Sequence, residues 1–106
     1  ADVEGTKLDT DLDGALADYN KAISLGLKSS AVYFNRGVIF HQKGQLSDAI
    51  ESYSRSIEID PSNARAYYNR AISKLIVDNY KEALQDLEIS KRLGYSKAAE
   101  VISQYY

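Results

Sequence analysis

The sequence repeats itself with a period of 34 residues. Asn35-Arg36-Gly37 is followed one period later by Asn69-Arg70-Ala71, and the residues around both triplets keep the same spacing. A period of this length is typical of a helix-turn-helix unit that cannot bury its own apolar face and must stack on its neighbours. The paired positions are Tyr33 with Tyr67, Ala49 with Ala83, Ser56 with Ser90, and Ser62 with Ser96.

The period divides a single domain, residues 1–106, into units. Ala15, Tyr19 and Ile23 lie one period before Ala49, Tyr53 and Ile57, so an incomplete unit precedes the two full ones. The predicted units are a partial first repeat at 1–29, a second repeat at 30–63, a third repeat at 64–97, and the remainder of a capping helix at 98–106.

Helix boundaries follow from apolar periodicity and from the residues that end helices. The predicted helices are 12–25, 30–43, 46–59, 64–77, 80–93 and 96–106. Gly26, Gly44 and Gly94 stop three of them, Pro61 lies in a turn, and Ser29 or Ser30 and then Ser96 are predicted caps. Residues 1–10 contain few apolar side chains, and we expect a frayed segment or the remnant of a first helix there.

These residues resemble the tetratricopeptide-repeat family. Its pattern of aromatic, small and closing Pro positions is met in the middle unit by Tyr33, Gly37, Phe40, Ala49, Tyr53 and Pro61, with Arg36 in place of the usual Leu. The next unit, with Ala71 and Ala83, matches less closely. The resemblance spans residues 11–97 and implies an all-α, right-handed solenoid of antiparallel helix-turn-helix hairpins with a C-terminal capping helix.

Composition narrows the class of function. The chain has no Cys, which excludes disulfides, thiolate zinc sites and Cys nucleophiles, and its net charge of −2 does not suggest a nucleic-acid partner. No apolar run is long enough to cross a membrane. The chain starts at Ala1 within a repeat, as expected of a piece excised from a longer protein, so the compartment stays open, with the cytoplasm as the default. The oligomeric state is also left open.

The segment Asp9-Thr10-Asp11-Leu12-Asp13-Gly14 matches the start of a calcium-binding loop. The twelfth position of that loop is Asn20, where a Glu should provide two oxygens to the ion. The repeat register instead requires Ala15 and Tyr19 to be helical and packed. The favoured interpretation is a run of acidic residues that stabilises a helix N-terminus.

No catalytic or metal-ligating residue is predicted, and neither is a cofactor. His41 is the only histidine, so no Ser, His and acid arrangement can be assembled without it. The tyrosines predicted to lie in the core because they occupy packing positions of the repeat are Tyr19, Tyr33, Tyr53, Tyr67 and Tyr80.

Arg36 and Arg70 stand where the resembled family usually has Leu, facing a neighbouring helix. A charge at such a place needs a partner. Asp18 and Asp86 share one register position in the returning helices, and we predict that these carboxylates pair with the two arginines.

The resemblance also implies a concave groove, lined by the first helices of successive hairpins, that receives an extended peptide or a helix. In this numbering the predicted ligand-binding residues are Phe34, Asn35, Val38, Arg65, Tyr68, Asn69 and Ile72. Ala31, His41, Gln42, Leu75 and Ile76 are predicted on the same face. Asn35 and Asn69 can bond both the N–H and the C=O of a peptide backbone. A full carboxylate clamp is not expected, because only Arg65 supplies the required cation.

The predicted function is a non-catalytic scaffold that binds a protein or peptide partner. Two alternatives stay open on sequence alone. One is a calcium-binding module built on Asp9 to Gly14, and the other is a purely structural segment of a longer repeat protein.

Overall fold

The computed structural model describes the backbone of residues 2–106 and the side chains of residues 11–106. These residues form six helices and no strand, which confirms the all-α fold class. The helices are α1 (Asp2–Ser24), α2 (Ser30–Gln42), α3 (Leu46–Ile59), α4 (Ala64–Ile76), α5 (Tyr80–Arg92) and α6 (Ser96–Tyr105).

Local sequence signals explain most helix ends. Gly26 and Gly94 have φ of 89° and 99°, the left-handed conformation that glycine adopts most easily after a helix. The Ser29 and Asn63 side chains accept hydrogen bonds from the backbone N–H groups of Val32 and Ala66, and so cap α2 and α4.

Two boundary predictions were wrong. Helix α1 begins at Asp2 and runs without a break into the predicted first helix, because nothing between Asp2 and Ser24 interrupts the backbone hydrogen bonds. The N-cap of α6 is Tyr95 and not Ser96, and its side chain makes no capping hydrogen bond.

Consecutive helices pack against each other along the whole chain, and α2 also contacts α4. The even-numbered helices α2, α4 and α6 form one layer, whose outward surface we call the inner face. The odd-numbered helices α1, α3 and α5 form the other layer. The chain is thus a helical-repeat solenoid in which each internal helix lies between two neighbours.

Small residues let the two layers approach closely. Ala49, Ala66, Ala71, Ala83 and Ala98 have no exposed surface. The Ser56 hydroxyl donates to the Ser30 carbonyl at 2.9 Å, and one period later Ser90 donates to the Ala64 carbonyl at 2.8 Å. The same packing and the same hydrogen bond therefore recur in both hairpins.

The last unit departs from the period. Asn63 caps α4 and Tyr95 lies at the cap of α6, only 32 residues later, and the buried Ala66 and Ala98 are separated by the same 32 residues. The alignment of Ser62 with Ser96 was therefore wrong, because the turn before α6 is two residues shorter. The capping role of α6 is confirmed, since Val101 and Ile102 pack on the buried cluster of Ala71, Ala83 and Leu87.

Four of the five tyrosines assigned to the core are at least partly buried. Tyr53 and Tyr67 are buried, and Tyr19 and Tyr33 are half-buried. Tyr80 contradicts the prediction, because 56% of its surface is exposed. It is the first residue of α5 and leans back over the turn, where its hydroxyl donates to the Asp78 carboxylate at 2.9 Å.

The pairing of Arg70 with Asp86 is confirmed. Arg70 donates from Nε and Nη2 to the two Asp86 oxygens at 2.9 and 2.7 Å, a bidentate geometry. Lys74 joins them, with Nζ 2.9 Å from Asp86 Oδ2 and 3.4 Å from Glu82 Oε1. Burial opposes the charge of Arg70, but the Asp86 carboxylate holds the pKa of Arg70 above its ordinary value.

The pairing of Arg36 with Asp18 was wrong. Arg36 donates from Nε to the Ser52 hydroxyl and from Nη1 to the Asn20 side chain, both at 3.1 Å. Each arginine bonds the residue 16 positions later in its own hairpin, which is Ser52 for Arg36 and Asp86 for Arg70. Asp18 lies one period before Ser52, so it belongs to the position that would face an arginine of the preceding unit.

Candidate functional site

Three depressions follow one another along the inner face, and together they contain all seven residues predicted to bind a ligand. The first lies between the N-terminal ends of α2 and α4 and is lined by Ser30, Ala31, Phe34, Asn35, Asp60, Asn63 and Arg65. The second is lined by Val38, His41, Gln42, Tyr53, Asn69 and Ile72. The third is lined by Tyr68, Ile72, Leu75, Ile76, Tyr80, Val101, Gln104 and Tyr105.

The first depression combines an aromatic ring with a cation. The Arg65 guanidinium lies 5.4 Å from the centroid of the Phe34 ring, and Asn35 is exposed beside them. Asp60 contributes a negative charge, because hydrogen bonds from the Ser62 hydroxyl and backbone N–H lower the pKa of its carboxyl. This depression can therefore contact an acidic group through Arg65 and a backbone amide through Asn35.

The second depression is narrow, with a volume of about 190 Å³, and is closed at its base by Tyr53 from α3. Burial raises the pKa of Tyr53 to about 12, and a hydrogen bond with the Asn69 side chain acts in the opposite direction. Asn69 is therefore oriented by the tyrosine hydroxyl beneath it. His41 Nδ1 lies 3.2 Å from the Ser73 hydroxyl at the same level of the face.

The third depression is wider and mainly apolar, with a volume of about 540 Å³ between α4 and α6. The Tyr68 ring forms one wall and is held edge-on against Tyr95, with 5.0 Å between ring centroids. Burial, followed by the nearby Tyr95 and Glu100, raises the pKa of Tyr68. Ile72 lines both this depression and the second, so the two are continuous along α4.

Sequence reasoning missed several residues of this face. Tyr53 was assigned to the core alone, although its edge closes the second depression. Tyr80, Val101, Gln104 and Tyr105 were also missed, because α6 was treated as a cap and not as the third helix of the layer. The signal was present, since Val101 and Tyr105 lie one helical turn apart on a single face.

Correcting the register by two residues also places Lys97 on α6 where Arg65 lies on α4. Lys97 is exposed. It adds a second cation to the inner-face layer at the level of the N-terminal helix ends.

The calcium interpretation conflicts with the backbone. Residues 9–20 are helical throughout, whereas a calcium-binding loop must turn sharply so that alternate oxygens converge. Asp13 instead forms an ion pair with Lys43. The side chains of Asp9 and Thr10 lie outside the described residues. Among the residues described, no group of three or more His, Cys, Asp or Glu side chains is placed to hold a metal ion.

No helix in the described part of the chain has the length and apolar character needed to cross a membrane.

Residues 37–74 match the family model of the TPR repeat. The MamA crystal structure superposes with a TM-score of 0.80 and 25% identity over 89% of this chain and 56% of MamA, so the chain spans little more than half of that protein. The TPR domain of OM64 from Arabidopsis gives a TM-score of 0.82 at 24% identity, covering 95% of this chain and 84% of that domain.

A third structure, the first TPR of Spaghetti (RPAP3) bound to the HSP90 peptide SRMEEVD, gives a TM-score of 0.83 at 16% identity and covers 95% of this chain and 82% of that one. No curated protein matches the sequence significantly. The repeated register, the matched segment and the shared architecture identify the chain as a member of the tetratricopeptide-repeat family.

Proposed function

We propose that the chain is a non-catalytic scaffold that binds a peptide or helix of a partner protein along its inner face. The observation that carries the proposal is the alignment of all seven predicted residues in three successive depressions, two of which share Ile72. A continuous depression of this kind suits an extended ligand better than a compact small molecule.

The polarity of the face supports a particular mode of binding. Asn35 and Asn69 lie one period apart, and their amides can donate to and accept from a ligand backbone, which gives affinity with little dependence on sequence. Arg65 favours an acidic side chain or a C-terminal carboxylate at one end. The apolar third depression receives an apolar side chain at the other end, so the ligand is also given a direction.

The use of this architecture by other proteins supports the proposal at the level of the fold. The first and second TPRs of RPAP3 were solved with the HSP90 peptide SRMEEVD. Their identities to this chain are 16% and 20%, so they indicate what the fold can hold and not which ligand this chain selects.

The test is a selection of peptides from a random library on the immobilised protein, followed by calorimetry on the enriched peptides. Asn69→Ala should weaken binding by about 1–3 kcal/mol through the loss of a desolvated hydrogen bond. Gln85→Ala, an exposed change on α5 in the other layer, is the matched control and should leave affinity unchanged. Peptides whose affinity ignores Asn35, Tyr68 and Asn69 but responds to Gln85 or Glu51 would place the site on the outer layer instead.

A further inference from the structure

The two terminal helices lack one of the neighbours that every internal helix has. Helices α2 to α5 each pack between the preceding and the following helix, whereas α1 packs on α2 and α6 packs on α5. Helix α1 is of the outer-layer type and α6 is of the inner-layer type. Each end of the array therefore shows the surface that a helix of the other type covers inside the molecule.

Burial along α1 shows this missing neighbour directly. Ala15, Tyr19 and Ala22 are only half-buried. The residues one period later, Ala49, Tyr53 and Ser56, are 0%, 2% and 0% exposed because α2 covers them. Asp18, which lies on the same side of α1, is exposed, and none of the ion pairs among residues 11–106 involves it.

The opposite end carries a depression of matching position, lined by Glu88, Lys91, Arg92 and Ile102 on α5 and α6. Inside the array, Arg70 of α4 lies between Ser54 of α3 and Asp86 of α5. Ile102 holds the place of Arg70 in the 32-residue register of α6, and Glu88 holds the place of Ser54. The position equivalent to Asp86 is missing from this depression.

Asp18 is the residue that fills that position when the array is continued by another copy. It lies two periods before Asp86, on a helix of the same type. Placed there, its carboxylate faces a depression lined by the two cations Lys91 and Arg92 and by the single anion Glu88. The charges are therefore complementary at the point where the packing register brings the two ends together.

We propose that a second copy of this chain docks α1 onto α6, so that α6 of one molecule and α1 of the next form a composite helix-turn-helix unit. The contact joins two different surfaces, so it leaves a free end on each molecule and builds an open head-to-tail chain and not a closed dimer. The inner face continues across the junction, and the association is independent of any ligand bound there.

One residue limits the strength of this contact. Ser103 holds the place of Gly37, where an added Cβ would lie 2.6 Å from the Tyr53 ring. Tyr19 holds the place of Tyr53, so the Ser103 side chain keeps Tyr19 of the incoming copy from packing as closely. We expect association at high micromolar concentration, and Ser103→Gly should shift it to lower concentration.

The experiment is sedimentation velocity of the whole chain from about 10 µM to about 1 mM, with two charge-reversed variants that each block one end. Asp18→Arg blocks the α1 end, and Lys91→Glu with Arg92→Glu blocks the α6 end. All three residues are exposed, and circular dichroism checks that helicity is retained. Lys81→Glu, an exposed change elsewhere on α5, is the control.

The wild type and the Lys81 variant should show a mass that rises with concentration beyond that of a dimer. Each blocked variant alone should stay monomeric, and an equal mixture of the two should stop at a dimer, because one intact end of each kind remains. A wild type that is monomeric at 1 mM, association that survives both blocks, or a mixture that stays monomeric would each overturn the proposal.

Discussion

At the scale of single residues, Gly37 and Tyr53 set the distance between α2 and α3. Tyr53 is 2% exposed, and its ring lies 5.8 Å from that of Phe34, measured between centroids. A Cβ on Gly37 would fall 2.6 Å from Cε1 and 2.7 Å from Cδ1 of the Tyr53 ring. Because the ring is enclosed, it cannot move away without disturbing the packing around it.

Gly37→Ala should therefore lower the free energy of unfolding by about 1–3 kcal/mol, the usual cost of an overpacked core. Gly14→Ala is a matched change in the interior of another helix, where an added Cβ meets nothing within 4 Å. It should raise stability by about 0.5–1 kcal/mol, because alanine loses less backbone entropy than glycine. Urea unfolding of both variants measures the difference, and equal effects would show that Gly37 is not a contact point.

Tyr53 should also make stability depend on alkaline pH. Its pKa is about 12 in the folded chain against an ordinary value of 10.0, so the unfolded chain releases this proton first as the pH rises. The stabilising contribution is complete below pH 10 and is lost progressively between pH 10 and 12.

Thermal unfolding of the wild type and of Tyr53→Phe over this range measures that contribution. The variant should lose less stability between pH 10 and 12 than the wild type. Parallel curves for the two proteins would mean that Tyr53 does not carry the effect.

At the scale of the elements, the two hairpins solve the same problem with different chemistry. In the second, Arg70 and Lys74 share the Asp86 carboxylate, which is only 3% exposed. In the first, Arg36 has the neutral acceptors Ser52 and Asn20 and lies 4.0 Å from Glu51. The fully ionic arrangement is the one whose loss should cost more, since it leaves charges without their partner.

Asp86→Ala should destabilise the chain by about 3 kcal/mol, because two cations lose a shared buried carboxylate. Ser52→Ala removes the residue in the same register of the other hairpin and should cost about 1 kcal/mol, as for a neutral hydrogen bond. Denaturant titration of the pair compares them on one scale. An Asp86 variant no less stable than the Ser52 variant would contradict the ionic account.

The elements also show where sequence reasoning was sufficient. Repeated Ala, Tyr and Ser positions located α3 at Leu46–Ile59 as observed, because the period and the apolar stripe agree there. The same period misplaced the last turn, since a shortening by two residues leaves no trace in composition. It also assigned Asp18 to Arg36, because register alone does not say whether an arginine faces the outer helix before it or after it.

At the scale of the whole molecule, one layer of helices gathers the residues of the candidate site. Phe34 and Asn35 come from α2, Asn69 and Ile72 from α4, and Val101 from α6. The period made the first two helices predictable as a face, because equivalent residues point the same way in every unit. The contribution of α6 was not predictable in the same way, since it depends on the corrected register of the last helix.

The most direct test of the central claim is chemical-shift mapping of the backbone amides during titration with a peptide enriched by the wild-type protein. The account predicts that the largest changes fall on residues 34–42 of α2, 65–76 of α4 and 97–105 of α6, and that Asn69→Ala reduces them at every peptide concentration. Changes confined to the outer helices α3 and α5, around Glu51, Arg55, Gln85 and Glu88, with the inner face unperturbed, would contradict it.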